Sequence, residues 1–169
     1  MIHIYCGDGK GKTTAALGLI VRHVGSGGRP VLAQFLKSAP TGELEALRAL
    51  RVPVYRNELP HGFFPNMSEE MKRKVADLHN HTLAEVTRLV QSNECTLLVL
   101  DELNAALALG LIDRAAVLAL LEHHGEAELV ITGRDPDADL LARADYVTEM
   151  KLVKHPYEKG IKARKGIEF

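Results

Sequence analysis

Gly7-Asp8-Gly9-Lys10-Gly11-Lys12-Thr13-Thr14 follows a short apolar run, Ile2 to Cys6, and leads into a helical-looking stretch from Ala15 to Val24. Glycines in a strand-to-helix turn let backbone N–H groups close around phosphate oxygens, because no side chain blocks the path and positive φ carries no penalty. The helix N-terminus adds partial positive charge. In this Walker A arrangement Lys12 reaches the outer phosphates and the Thr13 hydroxyl binds Mg²⁺. Glycine-rich turns without a nucleotide exist, but strand, loop, Gly-Lys-Thr and helix together supply the context that the motif requires. The spacing is irregular. A G-x-x-x-x-G-K-T motif needs glycine at position 6, where this chain has Cys6; counted from Gly7, the loop is one residue short. A shorter loop with an extra cation, Lys10, would cradle phosphates in a different register from that of a motor ATPase or kinase, a first hint that phosphoryl transfer is not the reaction.

Four apolar residues and two carboxylates, Leu97-Leu98-Val99-Leu100-Asp101-Glu102, form the pattern of a Walker B strand. Asp101 would hold the magnesium shell directly or through water, opposite Thr13, and Glu102 would contact the metal or order a water. The bland alternative makes Asp101 the N-cap of a helix from Leu103 to Leu109. Thr132-Gly133-Arg134 ends another apolar run. Arg134 reads equally as a phosphate ligand or as a surface partner of Asp135 or Asp137. Arg22, near the end of the first helix, reads by itself as a solvated helix-face cation. His79 and His81 stand two apart on a helix and point to nearly opposite sides, which disfavours zinc. His123-His124, before Gly125, read as a helix end.

These groups need elements to place them. Apolar runs at Ile2–Tyr5, Val31–Phe35, Leu97–Leu100, Leu129–Thr132 and Tyr146–Met150 alternate with segments of helical period, which predicts an α/β fold with a mostly parallel sheet covered by helices. In such a sheet function gathers at the C-terminal strand ends, where Gly7, Gln34, Lys37, Asp101, Glu102, Gly133 and Arg134 stand. The longest helix candidate runs from about Ser68 to Gln91, with Asn66 or Ser68 as its cap.

With 169 residues, 46% of them hydrophobic, one substantial core and a single domain over 1–169 are expected. A formal net charge of −1 gives no general pull toward nucleic acid or anionic lipid, although the segment 151–169 carries +4 against −5 elsewhere. Cys6 and Cys95 adjoin apolar runs and read as buried free thiols. Without a leader-like or long apolar segment the chain reads as cytoplasmic, with no membrane partner.

Taken in order, these blocks strongly resemble the ATP:corrinoid adenosyltransferases. The resemblance spans nearly the whole length and rests on Gly7 to Thr14, Gln34-Phe35-Leu36-Lys37, Gly42-Glu43, Leu100-Asp101-Glu102-Leu103, Thr132-Gly133-Arg134 and the closing Lys154-His155-Pro156-Tyr157 through Gly166-Ile167-Glu168-Phe169. The short phosphate loop matches that family too. The resemblance implies a homodimeric, RecA-like P-loop enzyme in which Co(I) of a corrinoid attacks the 5′ carbon of ATP, triphosphate leaves and Mg²⁺ assists, with an electron donor such as a flavoprotein and no DNA. It implies that Gly7, Asp8, Gly9, Lys10, Gly11, Lys12, Thr13, Thr14, Arg22 and Arg134 bind ATP, and that Lys12 and Arg134 act on the leaving triphosphate. Thr13, Asp101 and Glu102 would hold the metal. Lys37, Glu43, Phe63 and Phe64 would meet the corrinoid, with Phe63 shielding cobalt's lower face. Family members often carry tryptophan two residues after that phenylalanine; this chain has Pro65 and no tryptophan.

Two other readings compete. A P-loop small-molecule kinase would need a base near its acceptor, and none stands out. A non-catalytic ATP-binding regulator would use Lys151 to Lys165 as a docking tail, which lacks interleaved aromatics beyond Tyr157.

Overall fold

The computed structural model describes every residue except His61, Phe63 and Phe169. Its elements in chain order are β1 (Ile2–Cys6), α1 (Lys12–Gly25), β2 (Pro30–Gln34), α2 (Gly42–Ala49), β3 (Val54–Arg56), α3 (Glu69–Gln91), β4 (Leu97–Asp101), α4 (Leu103–Ala108), α5 (Arg114–Glu122), β5 (Glu128–Thr132), α6 (Ala138–Arg143) and β6 (Tyr146–Glu149). The strands form one sheet in the order β3-β2-β4-β5-β1-β6. Every adjacent pair is parallel, so the sheet is wholly rather than mostly parallel.

β2 and β4 are buried at all five positions, because helices cover both faces of the sheet. On one face Ile4, Phe35, Leu98, Leu100 and Ile131 meet Leu83 and Val86 of α3 and Val117 and Leu120 of α5. On the other, Leu32, Leu97, Val99 and Val130 meet Ala16 and Ile20 of α1 and Leu47 of α2. Burial on both faces explains why these strands read as unbroken apolar runs. β6 is different: it closes one edge with all four residues exposed, including Tyr146 and Val147.

α3 starts where its cap dictates, the Ser68 hydroxyl accepting from the Met71 N–H. α5 ends at His123, which is its C-cap. Cys6 and Cys95 are buried free thiols, and burial pushes the Cys95 thiol up to about 11. Among the described residues no helix is long and apolar enough to cross a membrane.

Candidate active site

The loop between β1 and α1 curls at the C-terminal end of the sheet. Gly11, with φ of 113°, caps α1, so the helix begins at Lys12 itself. The curl is sealed from outside by the end of β6: the Gly9 N–H donates to the Met150 carbonyl at 2.6 Å, and the Met150 N–H donates to the Cys6 carbonyl at 2.8 Å. A Cβ on Gly9 would lie 2.5 Å from the Met150 oxygen, and one on Gly7 2.7 Å from the same atom. Only glycine lets these two backbones approach so closely. Inside the curl the Lys12 ammonium donates to the Gly7 and Gly9 carbonyls at 2.5 and 2.8 Å.

Next to the loop stands Asp101, at the end of β4 and fully buried. Its Oδ1 accepts from the hydroxyls of Thr13 (2.8 Å) and Thr132 (2.7 Å). Its Oδ2 accepts from the Lys37 ammonium at 2.6 Å and the Gln34 amide at 3.3 Å. The same ammonium lies 3.3 Å from Thr13 Oγ1. Gln34 also donates to Glu43, joining that carboxylate to the group. Thr13 thus donates its proton to Asp101 and offers its lone pairs to a cation, here the Lys37 ammonium. A hydroxyl and a buried carboxylate are a donor set that fits Mg²⁺, and an ammonium already resting on both marks the place as one that holds positive charge.

Glu102 follows in the left-handed region, φ 62°, as the N-cap of α4. Thr132 Oγ1 accepts from its N–H at 2.9 Å. Asp101 is therefore not the helix cap. A non-glycine residue held in this conformation stores strain that surrounding structure must impose. Burial first, and then the charge of Asp101, raises the Glu102 carboxyl above its ordinary value, while Lys37, Lys12 and Arg134 pull it down.

A groove of about 310 Å³ runs over the loop from Asp8 to Thr14 and is walled by Glu102, Arg134, His155 and Glu168. A second, of about 330 Å³, opens beside Thr13, Thr14, Lys37 and Glu43. The C-terminal segment borders both. Glu168 binds Lys10 at 2.8 Å, and Arg164, with Lys10, holds its carboxyl down to about 2.

The structure therefore brings Lys10, Lys12, Thr13, Thr14, Asp101, Glu102 and Arg134 to one place, and sets Lys37 and Glu43, expected at the corrinoid, beside Thr13 and Asp101. Arg134 faces Asp8 at 3.6 Å rather than Asp135 or Asp137; Asp137 is held by Arg114. Arg22 is not brought in: it occupies the last turn of α1, about 15 Å along the helix axis from Lys12. Phe64 packs against the small cluster of Met67, Val75 and Leu111 under the Lys72 ammonium, 5.0 Å from its ring. Phe63 lies outside the described residues. His79 is buried and His81 exposed; the His79 Nε2 accepts from the Leu36 N–H at 3.2 Å and its Nδ1 bonds the Leu111 carbonyl. Among the described residues no metal-binding group of three or more His, Cys, Asp or Glu side chains occurs.

Several participants are legible only in three dimensions: Thr132 and Gln34 on Asp101, His79 behind Leu36, and Met150 over the loop. Thr132 and Gln34 at least announce themselves as polar residues ending apolar strands. Nothing local marks His79 or Met150.

Comparison with known proteins covers the chain from end to end. The model of the family described as ATP:corrinoid adenosyltransferase BtuR/CobO/CobP matches residues 1–169. A corrinoid adenosyltransferase of Sinorhizobium is 36% identical over all of this chain and 80% of its own length. One from Pseudomonas aeruginosa is 35% identical, covering 98% of this chain and 82% of its own. One from Escherichia coli is 32% identical, covering 100% and 85%. Among solved structures, a KaiC-like protein of Pyrococcus horikoshii superposes with a TM-score of 0.55 at 16% identity, over 91% of this chain and 73% of that one. That likeness is one of fold, the RecA-like P-loop arrangement.

Proposed function

Since the chain belongs to the BtuR/CobO/CobP family of ATP:corrinoid adenosyltransferases, we propose that the loop Gly7–Thr14 holds the triphosphate of ATP while a corrinoid Co(I) takes the 5′-deoxyadenosyl group. The observation that carries this is the convergence of Lys10, Lys12 and Arg134 on one groove. Three cations on one groove suit a leaving group that departs as the whole triphosphate.

In the transfer the C5′–O bond breaks and its electron pair leaves with the triphosphate, while cobalt supplies the pair of the new cobalt–carbon bond. Charge grows on the departing bridging oxygen, so donors aimed there lower the barrier. Loop N–H groups, the Lys12 ammonium and the Arg134 guanidinium serve that end. Lys12 exchanges its two loop carbonyls for phosphate oxygens. Bound at Thr13 and Asp101, with Glu102 nearby, Mg²⁺ would supply further charge neutralisation of the triphosphate. The nucleophile is the cobalt of the substrate, so no serine, cysteine or histidine is needed for that part. The Phe63–Phe64 segment meets the corrinoid, and Glu43 borders its approach. Arg22 enters the nucleotide site by family analogy alone.

The protein acts in the cytoplasm as a homodimer and receives corrinoid reduced by an electron donor such as a flavoprotein. The exposed Tyr146 and Val147 on β6 support association, and the two free thiols suit a reducing compartment. The kinase and regulator readings are not favoured, since the three relatives described above are named for adenosyl transfer.

The test incubates the protein with ATP, Mg²⁺ and chemically reduced corrinoid and identifies both products. Adenosylated corrinoid with inorganic triphosphate is expected. ADP with a phosphorylated acceptor, or no turnover, would overturn the reading.

A further inference from the structure

We infer that Lys37 is a tethered cation that competes with the divalent ion for Asp101, so that the ion binds well only when it arrives with a polyphosphate. The inference rests on the phosphate and cation site proposed at Thr13 and Asp101.

The Lys37 ammonium touches both groups that would serve the ion, Asp101 Oδ2 at 2.6 Å and Thr13 Oγ1 at 3.3 Å. One carboxylate oxygen cannot hold an ammonium and a divalent ion at contact distance in the same place. Asp101 is fully buried, and a buried carboxylate needs a countercharge as well as hydrogen bonds. Thr13, Thr132 and Gln34 provide only neutral donors. Of the cations close by, Lys12 is engaged by Gly7 and Gly9, and Arg56 by Gln34 Oε1 and the carbonyls of Lys37 and Ala39. The countercharge is therefore Lys37.

Its backbone is fixed, while its ammonium rides on a flexible four-carbon stem. Leu36 sits in the left-handed region at φ 57°, with its N–H held by His79. Arg56 donates to the carbonyls of Lys37 at 3.0 Å and Ala39 at 2.8 Å. These two clamps aim the lysine from both sides of its own Cα. The side chain retains partial exposure and borders the groove that also reaches Thr14 and Glu43. An ammonium displaced from Asp101 therefore stays beside the phosphate loop, where a bound triphosphate gives it a new anionic partner. A flexible lysine can make that exchange; a planar, forked guanidinium is less suited to it. Metal alone must expel an ammonium with nowhere equally good to go. Metal with triphosphate provides the destination.

The experiment measures Mn²⁺ binding by electron paramagnetic resonance to the full chain, with and without ATP, in the wild type, Lys37→Met, Lys37→Gln and Lys37→Arg. Without nucleotide, Lys37→Met should bind Mn²⁺ about tenfold or more tightly than wild type, the scale of one charged hydrogen bond. Lys37→Gln should do the same, and it answers the question if the methionine variant fails to fold. Lys37→Arg, which keeps the charge, should bind Mn²⁺ as weakly as wild type. ATP should improve Mn²⁺ binding more in wild type than in Lys37→Met or Lys37→Gln. Unchanged or weaker nucleotide-free Mn²⁺ binding in both neutral variants would overturn the tethered-cation role, and adenosyl transfer by the wild type would leave the proposed function standing. Absence of Mn²⁺ binding in every protein even with ATP would overturn the cation site itself.

Discussion

Alanine at Gly9 tests whether the end of β6 sets the shape of the phosphate loop. The added Cβ would lie 2.5 Å from the Met150 oxygen, 2.7 Å from its carbonyl carbon and 2.9 Å from the carbonyl carbon of Lys151. All three are backbone atoms, so no rotamer change relieves the clash. The seam must open instead, which breaks the 2.6 Å bond from the Gly9 N–H to Met150. Overpacking of this kind costs about 1–3 kcal/mol and the lost bond about 0.5–1.5 kcal/mol, so a loss of about 2–4 kcal/mol is expected. For a chain of this length that lowers Tm by about 5–15 °C. Gly18, inside α1, is the internal control because nothing lies within 4 Å of its Cβ. Gly18→Ala should gain about 0.5–1 kcal/mol and raise Tm by about 1–4 °C. Thermal unfolding followed by circular dichroism reads both shifts, and calorimetric titration with ATP should show affinity falling by about tenfold or more only in Gly9→Ala, as loop donors lose alignment. Equal signs for the two shifts, or wild-type ATP binding and Tm in Gly9→Ala, would refute the argument.

Lys12→Ala should lower the rate of adenosyl transfer by about 10²–10³-fold, the usual effect of deleting a donor aimed at developing charge, and wild-type turnover in a folded variant would refute its role. Cys95, with its pKa pushed up to about 11 by burial, keeps its proton where an unfolded thiol ionises; its contribution to stability is intact below about pH 9 and is lost as pH rises through about 11. At pH 8 only about one molecule in a thousand carries the thiolate, so iodoacetamide should label Cys95 far more slowly in native than in unfolded protein. Equal labelling rates would contradict the burial. Ser68→Ala should cost about 1 kcal/mol, a fall in Tm of about 2–4 °C, by removing the cap of α3; an unchanged Tm would mean that packing alone starts the helix.

What could be read without coordinates was local. The glycine-rich turn after β1, the carboxylate pair Asp101-Glu102 at the end of β4 and five strands each occupy a few consecutive residues whose type and order suffice. β3 escaped because it has only three residues, all half-buried, between Pro53 and Asn57, too short for any period to show. The helix at Ser68 was legible through its cap and its stripe of apolar residues. Lys37 was legible as a polar strand-end residue but not in its destination, because the backbone turn at Leu36 depends on His79, which is distant in sequence. His79 itself invited only a metal reading, since sequence cannot reveal two backbone partners brought by separate elements. Arg134 meets Asp8 rather than its sequence neighbours because β5 lies beside β1.

The seam between Gly9 and Met150 also has a consequence for biosynthesis. The loop is made first, yet the backbone that shapes its outer wall emerges more than a hundred residues later, with the last strand. At synthesis rates of about 5–20 residues per second that interval is on the order of ten seconds. Through it the nascent chain carries the full Gly7–Thr14 sequence without the partner that closes its outer wall. Stalled or truncated products that end before Met150 should consequently bind ATP more weakly than the full chain, because the seam that shapes the loop's outer wall is missing from them.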